Sequence, residues 1–137
     1  MSDLKLTDDR HCFACGEHNP IGLHLQFKWD GGTLSAAFTP KKDHQGYADV
    51  IHGGIIATVL DECMAQAAIR KFGVMAATAE FSMRLRAPLQ PGDEVTVSAH
   101  AERPSSRLIT ASAEMRRTRD GALIATATAK LVPNRSA

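Results

Sequence analysis

The 137-residue chain has little of several features that mark whole classes of protein. No apolar run approaches the roughly 20 residues that a membrane-spanning helix requires, and the polar start MSDLKLTDDR is unlike a signal peptide. There are only three cysteines, an odd number that suits a reducing compartment better than a disulfide scaffold. These absences favour a cytoplasmic protein without a membrane partner.

The composition also argues against nucleic-acid binding. The net charge is +1, aromatic residues make up 5% of the chain, and there is neither a Gly-rich phosphate loop nor an aromatic array for stacking bases. Residues 1–69 carry 5 Lys or Arg and 9 Asp or Glu, net −4, whereas residues 70–137 carry 11 and 6, net +5. The basic half either attracts an anionic small ligand or simply presents solvated strand faces.

One long helical pattern stands among strand patterns. Two alternating runs, LHLQFKW and TLSAAF, flank an Asp-Gly-Gly turn and predict a hairpin. Apolar residues then recur at helical spacing over 54–72, and Gly73 follows as a C-terminal cap. The segments FSMRLRA, EVTVSAH, RLITASAEMRR and ALIATATAKLV alternate again, with short connections that predict an antiparallel meander. We therefore predict an α+β protein with a single domain, 1–137, and a lead-in loop over 1–22.

An antiparallel sheet of about five or six strands wrapped round one long central helix is the hotdog architecture. The triplet His-Gly-Gly at 52–54, with Asp61 nine residues after the His, resembles the signature of hotdog-fold acyl-CoA thioesterases of the phenylacetate-pathway type. The segment TAEFSMRLRAP is similar to the strand that follows the helix in that family, and CFACGEHNPIGLHLQF resembles a lead-in found on one branch of these thioesterases. The resemblance implies hydrolysis of an acyl-CoA to a free acid and CoA, with no cofactor.

The start of the helix suits a developing negative charge. The first amides of a helix have no internal partners and lie at the positive end of its dipole, and glycine lets a ligand approach them closely. We expect Gly53 and Gly54 to supply the oxyanion-binding N–H groups; the alternative is that they only permit tight packing. The resemblance implies that His52 shapes this loop and does not act as the base.

Asp61 is unusual because an acid stands in the middle of an apolar helix. Its neighbours on the helical wheel are small or apolar, whereas Glu62 belongs to a separate polar stripe. A carboxylate that loses its solvent is usually paired or functional, so Asp61 is either paired with a core Arg or Thr, or catalytic. The resemblance assigns it as general base or nucleophile, with Thr78 orienting the attacking water, although Thr78 could equally be a plain strand residue.

Candidate groups for binding the substrate are more scattered. Several relatives have an Asn six residues before the triplet His, and Gly46 stands there in this chain, so Gln45 or His44 is expected to supply the second donor to the thioester carbonyl. The phosphates of CoA suit arginine. We take Arg84, Arg86 and Arg107 as candidates among the arginines on or between the late strands.

The segment HCFACGEH has the Cys-x-x-Cys spacing of a zinc site. Structural zinc sites normally draw a second pair of ligands from farther along the chain, and here all candidates lie within eight residues. We therefore expect a packed loop with free thiols and no bound metal.

The spacing of the glycines and the acid predicts a homodimer, or a dimer of dimers. Seven residues separate Gly54 from Asp61, about 10 Å along one helix, which is too far for both to act on one thioester. Two helices packed antiparallel about a two-fold axis solve this by sharing two sites. The alternative functions are a non-catalytic acyl-CoA-binding or sensing domain and, less well matched because His52 is far from Asp61, a dehydratase.

Overall fold

The computed structural model describes residues 5–134, which form one long helix and a six-stranded antiparallel sheet. Strands β1 and β2 form the first hairpin, a short 3-10 turn and helix α1 follow, and strands β3 to β6 complete the sheet. The bounds are β1 Phe27–Trp29, β2 Leu34–Phe38, the 3-10 turn Lys42–His44, α1 Gly53–Phe72, β3 Ala76–Leu85, β4 Val95–Ser105, β5 Leu108–Arg117 and β6 Leu123–Pro133. The predicted hotdog architecture is confirmed.

The core lies between the helix and the inner face of the sheet. Buried and exposed residues alternate along β4, as a strand with one covered face requires, while the helix buries residues on several of its sides. Val59, Leu60 and Met64 of the helix are fully buried against this face. Each such side chain contributes about 1.5–3 kcal/mol by leaving water, so this helix holds the fold together as well as carrying the site.

Both ends of the helix are defined by the residues that the sequence singled out. His52 is the N-cap, directly before the first helical residue Gly53, and Gly73 ends the helix in the left-handed conformation with φ 67°. The Gly73 N–H donates to the Ile69 carbonyl at 2.8 Å, and two basic side chains lie in the last turn, where cations are favoured. The predicted span of 54–72 is confirmed to within one residue.

The strand order differs from the predicted meander. The sheet runs β1-β2-β4-β5-β6-β3, so β4, β5 and β6 form a meander but β3 pairs with β6 at the far edge. The reason is that the connection from β3 to β4 is not a hairpin turn but crosses the molecule. Leu89, in this connection, is buried, and its carbonyl accepts a hydrogen bond from the Ile51 N–H. The meander prediction for β3 is wrong, and the strand is an edge strand.

The first strand is shorter than its alternating pattern predicted. Only residues 27–29 pair with β2. Leu23 and Leu25 instead donate their N–H groups to the carbonyls of Phe13 and Ala14, at 2.8 and 3.0 Å. Leu25 is buried in the core and Leu23 packs against it, so the apolar residues of this run hold the lead-in loop against the body of the protein. Within residues 5–134, no helix is long and apolar enough to cross a membrane.

Candidate active site

The helix begins with an imidazole folded back onto its first turn. The Gly54 N–H donates to His52 Nδ1 at 2.8 Å. A nitrogen that accepts this bond carries no proton, so the proton of the neutral ring lies on Nε2. A Cβ at position 54 would lie 3.0 Å from Nδ1, which explains glycine at that position. His52 thus caps the helix, in agreement with the loop-shaping role implied by the resemblance.

The two glycine amides are not equivalent. Gly54 already donates to His52 Nδ1, and the amides of Ile55 and Ile56 donate to the His52 carbonyl. Within the described part of the chain, the Gly53 N–H has no hydrogen-bond acceptor. We predicted that both glycines supply oxyanion-binding N–H groups. In this conformation only the Gly53 N–H is available, because the Gly54 N–H is bonded to the capping His52 ring.

Gly53 borders an exposed apolar side chain. A Cβ at position 53 would meet only Leu85 Cδ1, at 3.5 Å. Leu85 is itself 51% exposed at the end of β3, and the loop that precedes the helix exposes Tyr47 and Val50. The exposed Leu85 side chain therefore borders the Gly53 amide, where it is available to contact a ligand or another chain.

Asp61 lies in the middle of the helix and is held by a strand. The Thr78 hydroxyl donates to Asp61 Oδ1 at 2.7 Å, and both side chains are half-buried. Among residues 5–134, the second carboxylate oxygen, Oδ2, has no hydrogen-bond donor. We expected Asp61 to face a stripe of the helix that is largely shielded from solvent. In the single chain this shielding is only partial, because β3 is an edge strand and leaves Asp61 accessible to solvent past that edge.

A β-bulge directs Thr78 toward Asp61. Phe81 and Met83 face the core, so strict alternation would turn Thr78 to the opposite face of the sheet. The pairing of β3 with β6 shifts register between Thr78 and Glu80, which inserts one extra residue. Bulges commonly redirect side chains in this way beside functional sites. The bulge brings the hydroxyl onto the helix side, where it reaches the carboxylate.

Replacing Thr78 by valine should lower kcat by about 10-fold or more with little change in KM, because a hydrogen bond to a charged group is worth about 1.5–3 kcal/mol. Valine keeps the shape of threonine and removes the hydroxyl that fixes the carboxylate. Steady-state kinetics on a thioester substrate check this. Thr78→Ser, which restores a hydroxyl, should recover most of the rate; equal rates for the valine variant and the wild type would show that Thr78 does not position Asp61.

The donor and the acid lie far apart within one chain. Gly53 and Asp61 are separated by eight residues of a continuous helix, about 12 Å along its axis. A reacting carbonyl must lie about 3 Å from its N–H donor, and a base must reach the attacking water directly. One chain therefore presents two halves of a site on the same helix.

The candidate second donors lie in the loop before the helix. His44 Nδ1 accepts the Lys41 N–H at 2.9 Å, and burial, then the nearby Lys41 charge, lowers the pKa of this imidazole below its usual range. Gln45 Oε1 accepts the Asp49 N–H at 3.2 Å, which leaves its amide NH₂ to donate. Gly46 packs under His52, where a Cβ would lie 3.4 Å from the ring. Both side chains thus keep a donor: the amide NH₂ of Gln45 and the Nε2–H of a neutral His44 ring.

The three candidate arginines do not come together in one chain. Arg84 and Arg86 are exposed at the end of β3 that lies near Gly53. Arg107 lies in the β4–β5 turn, at the end of the sheet where β3 begins. Arg107 can serve the same site as the other two only from a second copy of the chain.

Known proteins support the same architecture. A family model described as the thioesterase superfamily matches residues 48–124, more than half of the chain and all of the site from the helix cap to Thr78. No curated protein matches the sequence.

Three solved structures illustrate the likeness in fold. AziG of S. sahachiroi is 24% identical, with a TM-score of 0.75, and the match covers 83% of this chain and 94% of that one. A hypothetical thioesterase of Streptococcus pneumoniae, solved with coenzyme A, is 16% identical, with a TM-score of 0.72 and coverage of 82% and 88%. The E. coli PaaI protein, from the phenylacetic acid degradation operon, is 18% identical, with a TM-score of 0.73 and coverage of 80% and 83%. By the family match and by its architecture, the chain belongs to the thioesterase superfamily and has the hotdog fold.

Proposed function

We propose that the protein is an acyl-CoA thioesterase that hydrolyses its substrate to a free acid and CoA. The observation that carries this proposal is the helix itself, which combines a Gly53 amide without an acceptor, among the described residues, and an Asp61 carboxylate fixed by Thr78. Thioester hydrolysis requires both: a donor for the charge that develops on the carbonyl oxygen, and a base or nucleophile. The neighbour solved with coenzyme A supports CoA as the carrier.

In the proposed reaction the thioester carbonyl lies against the helix start. The Gly53 N–H, at the positive end of the helix dipole, stabilises the oxyanion, and the amide of Gln45 is the candidate for a second donor. Asp61 then either removes a proton from water that attacks the carbonyl carbon, or attacks that carbon itself and forms an anhydride that water hydrolyses. In both cases the CoA thiolate leaves and is protonated by solvent.

A complete site requires a second copy of the chain. β3 pairs only with β6 among residues 5–134, so its outer edge is open to another strand. Thr78 and Leu85 are seven residues apart, about 23 Å along this strand, and Leu85 lies against Gly53. If two copies pair antiparallel through β3, the Gly53 end of one copy comes beside Asp61 of the other. A homodimer with two shared sites follows, and a dimer of dimers would repeat them.

A panel of acyl-CoA substrates tests the proposed function. Short, medium, long and aromatic acyl groups should be compared by the release of free CoA thiol, with acyl-CoA binding measured in parallel by calorimetry. We expect turnover on at least one class, with a kcat/KM of about 10⁴ M⁻¹s⁻¹ or more. Binding without thiol release across the whole panel would contradict the proposal and identify an acyl-CoA-binding or sensing domain.

A further inference from the structure

A second cluster of reactive side chains, Cys12, Cys15 and Glu62, lies next to the site, since Glu62 directly follows Asp61 in the helix. Cys12 Sγ lies 3.5 Å from Glu62 Oε2, and Cys15 Sγ lies 3.5 Å from Glu62 Oε1. The ligand atoms of these three residues lie within 4.8 Å of one another. The thioester chemistry uses none of them, and both cysteines lie outside the region that matches the thioesterase family.

The lead-in loop is folded tightly enough to hold both sulfurs on one side. The Gly16 N–H donates to the Cys12 carbonyl at 2.8 Å, and the His18 N–H donates to the Arg10 carbonyl at 2.9 Å. A Cβ at position 16 would lie 2.4 Å from the Cys12 backbone nitrogen, so this turn accepts only glycine. The Cys-x-x-Cys-Gly segment is therefore a preformed turn whose two thiols face the helix.

The third group comes from the helix and is itself held in place. Gln66, one turn farther along, donates its side-chain amide to Glu62 Oε1 at 3.2 Å. Partners of this kind orient a ligand before a metal arrives. The expectation of a metal-free loop rested on all candidate ligands lying within eight residues of the sequence. Glu62 removes that premise, because it is 50 residues from Cys12 in the chain.

Two sulfurs and a carboxylate are ligands that zinc accepts, at about 2.3 Å for sulfur and about 2.0 Å for oxygen. In a tetrahedral site with these bond lengths, sulfur and oxygen ligands lie about 3.5 Å apart, which is the separation found between each cysteine and Glu62. We propose that Cys12, Cys15 and Glu62 bind one zinc ion, with water in the fourth position.

The charge of the cluster does not change when zinc enters. Without metal, each thiol keeps its proton and donates a hydrogen bond to Glu62. The cluster then carries only the single negative charge of the carboxylate. Zinc brings two positive charges and displaces the two thiol protons to solvent, so the total remains −1. The ion replaces two weak S–H bonds by coordination bonds and ties the lead-in loop to the helix beside Asp61. Its role is structural, since Asp61 and Thr78 do not contact it.

Metal content of the purified full-length chain tests this proposal. After preparation with zinc under reducing conditions and gel filtration, elemental analysis should give about one zinc per chain. Cobalt in its place should show the near-ultraviolet absorption of thiolate-to-metal charge transfer. Cys12→Ser, Cys15→Ser and Glu62→Gln should each weaken zinc binding at least about 100-fold, whereas the control Glu17→Gln, which changes an exposed acid of the same loop, should leave it unchanged.

Alkylation of the wild-type protein gives a readout that does not depend on the folding of any variant. Zinc should protect Cys12 and Cys15, which are half-buried, while the fully buried Cys63 stays unreactive with or without metal and serves as the internal reference. The proposal is overturned by less than about 0.1 zinc per chain with both thiols reactive, by cobalt spectra without a thiolate band, or by zinc binding that survives both serine variants.

Discussion

Replacing Asp61 by asparagine should lower kcat at least about 100-fold while the protein stays folded. The amide can still accept the Thr78 hydroxyl bond at its oxygen, so the local geometry is kept. It can neither take a proton from water nor attack a thioester, so both proposed roles of Asp61 are lost together. Among residues 5–134, no ion pair involves Asp61, so the change breaks no charge pair of the fold. Steady-state kinetics on the best acyl-CoA and thermal unfolding measure the two effects.

The neighbouring acid provides the matched control. Glu62→Gln changes the same chemical group one residue away, on a side chain that faces Cys12 and Cys15. We expect this variant to lose less than about 10-fold in kcat even though it weakens zinc binding, since the proposed ion is structural and Glu62 is not one of the groups that act on the thioester. An inactive Glu62→Gln protein together with an active Asp61→Asn protein would show that the catalytic carboxylate has been misassigned.

Local patterns predicted the elements of the fold well. The 3.6-residue period over 54–72 and the glycine that follows it reflect interactions within a few turns, and the structure confirms this helix to within one residue. The alternating segments likewise became β2, β4, β5 and β6. Each of these signals is local. A strand with one buried face has alternating apolar and polar residues, whatever its position in the sheet.

Long-range pairing could not be predicted in the same way. The alternation of apolar and polar residues in β3 does not indicate whether it pairs with β6 or with β4. In either position the same face of β3 would be turned to the core. The register shift beside Thr78 has no signal in residue type, yet it decides which face the hydroxyl takes. The resemblance to thioesterases pointed to Thr78, whereas the alternation alone would have placed it on the wrong side of the sheet.

The helix start and the cysteine cluster show the same limit. The sequence placed His52 beside the glycines but did not reveal that its ring accepts the Gly54 amide, which leaves Gly53 as the available donor. Likewise, the contact of Cys12 and Cys15 with Glu62 spans about fifty residues and depends on how the lead-in loop crosses the helix. Both are tertiary contacts between polar groups, and no periodicity records them.

Gly53→Pro should lower kcat by about 100-fold to 1,000-fold, because it removes the proposed oxyanion donor. Position 53 is the first helical residue, where proline is tolerated, and the extended conformation of His52, with ψ 132°, suits a residue before proline. Gly53→Ala is the control, since it keeps the N–H and adds only a Cβ that would lie 3.5 Å from Leu85 Cδ1. The alanine variant should therefore retain most of the rate.

The same variant decides whether the site is shared between two chains. Asp61→Asn and Gly53→Pro chains, each nearly inactive alone, should form a heterodimer in which one site unites an intact Gly53 with an intact Asp61 from the other chain. With two sites per dimer, the purified heterodimer should have about half of the wild-type activity. Differently tagged chains, denatured together, refolded and isolated by both tags, provide the sample. If each site lay within one chain, both sites would stay defective, and a heterodimer without recovered activity would contradict the shared-site proposal.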